Sequence, residues 1–163
     1  MRIDELNDLD PAEAGALLRT CADVDSWVRA LVDARPYASA AALLDQARTL
    51  AAGWTGAEVE AALADHPRIG DRHPGGASAE LSAREQSGVD REDEELQRRL
   101  RAGNRAYEER FGRIFLVRAA GRSAAEILAL LEERLGHDPA TELEVTSGQL
   151  AEIALLRLEG LLS

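Results

Sequence analysis

Ser123-Ala-Ala-Glu-Ile-Leu-Ala-Leu-Leu-Glu-Glu-Arg-Leu135 is the stretch on which the fold turns. A serine followed three residues later by a glutamate, just ahead of an apolar run, marks a helix N-terminus. The hydroxyl accepts from a free amide of the first turn, and the carboxylate reaches back to the cap residue's own N–H. The isoleucine and leucines behind it recur at helical spacing, so the stretch predicts a helix through Leu135. Thr55-Gly-Ala-Glu58 and Ser82-Ala-Arg-Glu85 repeat the form. Outward from these, Asp10-Pro11 supplies a cap and a first-turn proline for a helix to about Cys21. Asp25 or Ser26 caps a second, through Trp27, Leu31 and Val32, which must stop before Pro36. Ser39 opens a third to about Ala52, ended by Gly53, and the Thr55 helix ends before Pro67. The last helix lies between about Glu142 and Leu161. No stretch alternates with period two, and β-branched residues are sparse. The expectation is an all-α protein, one compact domain over residues 1–163 with about seven to eight helices.

Composition narrows the function classes. The chain has 163 residues, 45 % apolar and 30 % charged, enough to bury a core without staples. No apolar run approaches the roughly 18 residues of a membrane helix. Met1–Glu5 lacks the apolar stretch of a secretory signal. A net charge of −11 argues against nucleic-acid and anionic-membrane surfaces, which need clustered positive charge. All 19 bases are arginine, which excludes Schiff-base and P-loop lysine chemistry. The single cysteine, Cys21, excludes an internal disulfide framework and a multi-cysteine metal site, and a reducing cytoplasm is the expected compartment.

Two segments break the helical pattern. His66 to Leu81 is rich in Gly and Pro and holds His66 and His73, and a connection of this length is more often functional than idle. Ile114-Phe-Leu-Val117, after the helix stop Phe111-Gly112, reads as a buried extended run whose amides and carbonyls need partners, a ligand being one possibility.

His66, where a helix stops, suits a general acid or base, although position alone favours a helix-end residue whose ring bonds a free carbonyl. His66, Asp71 and His73 could be imagined as metal ligands, but their spacing matches no common motif. His73 is expected exposed and His137, in Gly136-His-Asp-Pro139, in a turn. The Ser82/Glu85 pair is explained by capping, yet a helix N-terminus also suits an anionic ligand. Asn104, Tyr107 and Phe111 share one helical face, the aromatics facing the core, where Trp27 and Trp54 also belong. Arg157 is the most informative residue. At about 100° per residue it falls on the apolar stripe of Leu150, Ile153, Ala154, Leu158 and Leu161, with Glu152 and Glu159 nearly opposite. A guanidinium there needs a partner, either a protein acid or the polar groups of a substrate.

Four motifs in order, His66-Pro-Arg-Ile-Gly70, Ser82-x-x-Glu85-Gln86, Asn104-x-x-Tyr107-x-x-x-Phe111-Gly112 and Ile153-Ala-x-x-Arg157-Leu158, resemble the OHCU decarboxylases in bacterial form. These are the 2-oxo-4-hydroxy-4-carboxy-5-ureidoimidazoline decarboxylases of urate breakdown, and the resemblance runs from about Leu6 to Leu161. It implies an all-helical, cofactor-free, metal-free enzyme, usually a homodimer, with a small-molecule substrate. That enzyme converts OHCU to (S)-allantoin and CO2 after urate oxidase and hydroxyisourate hydrolase. By position, it implies His66 as catalytic proton donor, with Pro67 shaping its backbone. Ser82, Glu85 and Gln86 line the pocket, with Glu85 also catalytic. Val117, Arg118 and Ala119 offer backbone contacts, and Arg157 is the buried arginine. Asp71–Leu81 and Ile114–Arg118 depart from animal members.

The chemistry implied needs no cofactor. The carboxylate of OHCU sits beside a ring C=N, so the electrons left by CO2 delocalise into the substrate itself. The protein must orient the C–C bond, stabilise developing charge and deliver a proton to one face. Glu85 would hold the His66 ring or raise its pKa. Arg157 is expected at the ureido or ring carbonyl oxygens, because gripping the departing carboxylate would stabilise the ground state. The alternatives are an all-helical interaction module without catalysis, a metal-dependent hydrolase using His66, Asp71 and His73, and a family member with a drifted substrate.

Overall fold

The computed structural model describes residues 1–64, 66 and 94–163. Among these residues it has eight α-helices: α1 Ile3–Asp8, α2 Pro11–Arg19, α3 Asp25–Asp33, α4 Ala40–Ala51, α5 Gly56–Leu63, α6 Glu94–Phe111, α7 Ala124–Leu135 and α8 Pro139–Leu161. The all-α expectation holds. The helix expected at Ser82 and most of the His66–Leu81 connection lie outside the described residues.

Local chemistry sets the helix ends. Asp10 accepts from the Glu13 amide at 2.9 Å with Pro11 at the first helical position, and Ser39 accepts from the Ala42 amide at 3.1 Å. Thr55 and Glu58 form the complete reciprocal box, Thr55 N–H to Glu58 Oε1 at 3.0 Å and Glu58 N–H to Thr55 Oγ1 at 3.2 Å. Ser123 caps α7 through the Glu126 amide at 3.1 Å. Two expectations need correction, and one helix is new. The cap of α3 is Val24, with no side-chain bond, and Asp25 is already helical, in the first turn, its carboxylate 2.7 Å from Arg19 Nη1. The short α1, held by Arg2 N–H to Glu5 Oε2 at 2.6 Å, was not foreseen. Helix α8 begins at Pro139 rather than near Glu142, because Asp138 accepts from the Thr141 amide at 2.9 Å and Pro139 occupies the first turn.

The described residues form two compact units. One comprises Met1–Ala62 with Leu150–Ser163. There α2 packs on α3 and α3 on α4. The buried Trp27 donates to the Ala47 carbonyl at 3.0 Å and meets the Trp54 ring edge-on at 6.0 Å. The other unit is Leu63–Gln149, in which α6 packs on α7. Its core gathers Leu100, Tyr107, Phe115, Val117, Ile127 and Leu131. Gly112, at φ 72°, turns the chain out of α6, a conformation that L side chains resist. The run after it crosses the core without regular structure, with Phe115, Leu116 and Val117 all buried as expected.

Candidate functional site

The buried run 115–119 has to satisfy its main chain inside an apolar core, where an unpaired amide or carbonyl is costly. Two side chains do part of that work. Arg134 of α7 donates through Nη1 to the Leu116 carbonyl at 2.6 Å. Gln149 of α8 accepts at Oε1 from the Arg118 N–H at 2.9 Å, and from Arg122 Nη1 at 3.3 Å. Arg118 turns its own Nη1 back to the Ala120 carbonyl at 2.6 Å. Of the three residues implied to meet a substrate by their backbones, Arg118 therefore already has its amide engaged by the protein. Ala119 accepts from the Arg122 amide at 3.1 Å.

Arg134 is itself locked. Its Nε and Nη2 lie 2.7 and 2.6 Å from Glu142 Oε1, and its guanidinium carbon lies 4.6 Å from the Phe115 ring centroid. Tyr107 donates its hydroxyl to the same Oε1 at 2.6 Å, and His137 Nδ1 lies 3.0 Å from Oε2. Glu142 is 0 % exposed and Arg134 3 %, so the pair is desolvated on both sides. Burial pushes the Glu142 carboxyl up, but the hydrogen bonds from Arg134, Tyr107 and His137 outweigh it and hold it below its ordinary value. Burial, then the bond to Glu142, pushes the Tyr107 phenol up. His137 is thus more than a turn residue, and its carbonyl also accepts from Arg110 Nη2 at 2.7 Å.

His66 follows α5, half-buried, and its amide donates to the Leu63 carbonyl at 3.0 Å, which closes the helix end at the expected junction. Arg157 is buried as expected, at 7 % exposure. One of its partners is neither an acid nor a substrate. Nη1 lies 3.4 Å from the carbonyl of Thr20, the C-cap of α2, where a helix concentrates partial negative charge. Its charge also reaches Cys21. Burial pushes that thiol up to about 11, against opposing pulls from the Thr20 bond and from Arg157. Pro67, Asp71, His73, Ser82, Glu85 and Gln86 lie outside the described residues. The structure therefore brings Val117, Arg118 and Ala119 together in one anchored run, and sets His66 at its helix end and Arg157 at the end of α2.

Sequence reasoning missed Arg134, Glu142 and Gln149. The first carried a signal. Arg134 stands three residues after Leu131 and seven after Ile127, on the buried stripe of α7, so the wheel argument that found Arg157 finds Arg134 as well. Among the described residues no three His, Cys, Asp or Glu side chains gather as a metal site.

Comparison with known proteins gives this helical chain its class. The family description "OHCU decarboxylase" matches residues 7–159. The chain belongs to that family. It is 26 % identical over 162 residues to a uric acid degradation bifunctional protein of Bacillus sp. (strain TB-90), covering 98 % of this chain and 32 % of that one. It is 38 % identical over 64 residues to the 2-oxo-4-hydroxy-4-carboxy-5-ureidoimidazoline decarboxylase of Amia calva, 39 % of this chain and 37 % of that one. The matches thus span about a third of those relatives' lengths. The fold is similar to an OHCU decarboxylase solved in the presence of (S)-allantoin (TM-score 0.74, 24 % identity, 88 % of this chain and 95 % of that one). It is also similar to an (S)-allantoin synthase (TM-score 0.73, 20 % identity, all of this chain and 54 % of that one).

Proposed function

We propose that this chain decarboxylates OHCU to (S)-allantoin and CO2, as a carboxy-lyase of urate breakdown that needs neither cofactor nor metal. The observation that carries the reading is the family match over 7–159, which contains the His66, Glu85 and Arg157 motifs in order. In this reading His66 delivers the proton to one face of the carbanion, and Glu85 holds the His66 ring. Pro67, Ser82 and Gln86 shape the pocket, Val117–Ala119 present main-chain groups, and Arg157 meets carbonyl oxygens of the substrate. The half-buried place of His66 just past α5 supports the first role, since histidine is the side chain most often used as a general acid or base. Residues 1–163 act as one domain, and the active form is a homodimer; the extent of the family match supports the former, and the resemblance the latter. A cytoplasmic setting fits the single, buried, free thiol of Cys21.

The test starts from urate. Urate oxidase and hydroxyisourate hydrolase generate OHCU in place, and its loss is followed with and without this chain, in buffer and in chelator. The reading expects a chain-dependent acceleration that the chelator leaves unchanged. No acceleration returns the chain to an interaction role, and loss of activity in chelator turns the reading toward His66, Asp71 and His73 as metal ligands.

A further inference from the structure

We propose that Arg134 and Gln149 are positioning residues for this reaction, acting through the main chain of the 116–119 run rather than on the substrate. The proposal rests on the decarboxylase reading above. Leu116 and Arg118 are two residues apart, and each gives one main-chain group to a side chain, the Leu116 carbonyl to Arg134 and the Arg118 amide to Gln149. These anchors come from different helices, α7 and α8, so the run is held at two points rather than strung between its ends. Val117 lies between them, 3 % exposed, and its own amide and carbonyl take no partner among the described residues. Buried main-chain groups held in register are suited to meet a small, planar, hydrogen-bonding molecule.

Rigidity at each anchor comes from behind it. Arg134 cannot swing away from Leu116, because Glu142 takes its Nε and Nη2, and Glu142 is fixed in turn by Tyr107. Gln149 is steadied by Arg122, which shares its Oε1. Neither anchor needs to touch the substrate to matter. A displacement of the run by about 1 Å is enough to cost on the order of 10²-fold in turnover.

The experiment compares Gln149→Leu, which keeps the size but removes the acceptor, with Gln149→Glu, which restores an acceptor for both Arg118 N–H and Arg122. Melting temperature, kcat and KM for enzymatically generated OHCU are measured for each and for the wild type. The proposal expects Gln149→Leu to fold and to lose on the order of 10²-fold in kcat/KM, with a raised KM as a clear part of the loss. Gln149→Glu recovers most of it. A merely structural role would lower the active fraction without moving KM. A folded Gln149→Leu enzyme with wild-type KM and kcat overturns the proposal and leaves the decarboxylase reading intact. A wild type that does not accelerate OHCU loss overturns both. Should Gln149→Leu not fold, Arg134→Lys carries the test. It keeps a charge for Glu142 but cannot also reach the Leu116 carbonyl, and a wild-type KM in that variant likewise overturns the proposal.

Discussion

Replacing Arg134 with methionine removes a cation that is 3 % exposed and leaves the Glu142 carboxylate, 0 % exposed, without its strongest partner. It also removes the donor to the Leu116 carbonyl. Breaking a buried pair from one side costs about 3–5 kcal/mol, because the stranded charge keeps its desolvation penalty and loses its compensation. For a chain of this size each kcal/mol moves the melting temperature by roughly 2–4 °C, so Arg134→Met is expected to melt roughly 6–20 °C lower. Adding Glu142→Gln returns part of the loss, since the amide can still accept from Tyr107 and no charge is stranded. Thermal or urea unfolding of the two single variants and the double gives the coupling, expected to exceed about 1 kcal/mol for residues in direct contact. The pH dependence has a definite sign. The Glu142 carboxyl sits below its ordinary value of 4.5 in the folded chain, so its stabilising contribution is fully present above that value and is lost as pH falls through the folded value. Glu142→Gln removes that acid-side slope. If Arg134→Met melts with the wild type and the double variant shows no coupling, Glu142 is not a desolvated carboxylate that depends on Arg134.

Three further outcomes follow from particular contacts. Thr55→Ala should cost about 1 kcal/mol in unfolding free energy by opening the reciprocal box with Glu58, and Thr55→Ser should cost less. Gly103→Ala should destabilise despite alanine's better helix propensity. Its Cβ would come 2.5 Å from Leu131 Cδ2 and 3.1 Å from Cγ, inside a packed core, at about 1–3 kcal/mol. Cys21, 0 % exposed with its thiol pushed up to about 11, should resist alkylation at neutral pH in the native chain and react at once in denaturant. Rapid native labelling would show that the chain opens locally at Cys21, just past the end of α2.

Much of the fold was legible because helix ends are local chemistry. Asp10, Ser39, Thr55 and Ser123 all do what their neighbours in the chain suggest, and Pro36 and Gly112 stop helices where they must. The failures are instructive. Asp138-Pro139 repeats the Asp10-Pro11 signal, yet a glycine and a histidine just before it read as a turn, and three residues of α8 were lost. At α3 the local pattern offers Asp25 or Ser26 as the cap, whereas the helix starts one residue sooner, and an acid in the first turn favours the same helix end without capping it. For the site, the buried stripe pointed to Arg157, but which carbonyl it meets depends on where α2 ends, which no local pattern encodes. Gln149 left no local trace at all. Its role exists only because residue 118, 31 positions away, comes within 2.9 Å of it. The buried run at 114–117 was expected to need polar partners and a ligand was one candidate; Arg134 and Gln149 supply part of that need from within the protein.

The central claim is that His66 protonates one face of a carbanion, and stereochemistry reports it directly. OHCU also decays without enzyme to racemic allantoin, so the measurement is the circular dichroism of allantoin formed from freshly generated OHCU, with wild type and with His66→Asn at matched folded concentration. The account predicts an (S)-allantoin signal that grows with wild-type enzyme and is absent with the folded His66→Asn variant. A His66→Asn enzyme that still produces (S)-allantoin in excess, or a wild type whose product is racemic, would contradict it.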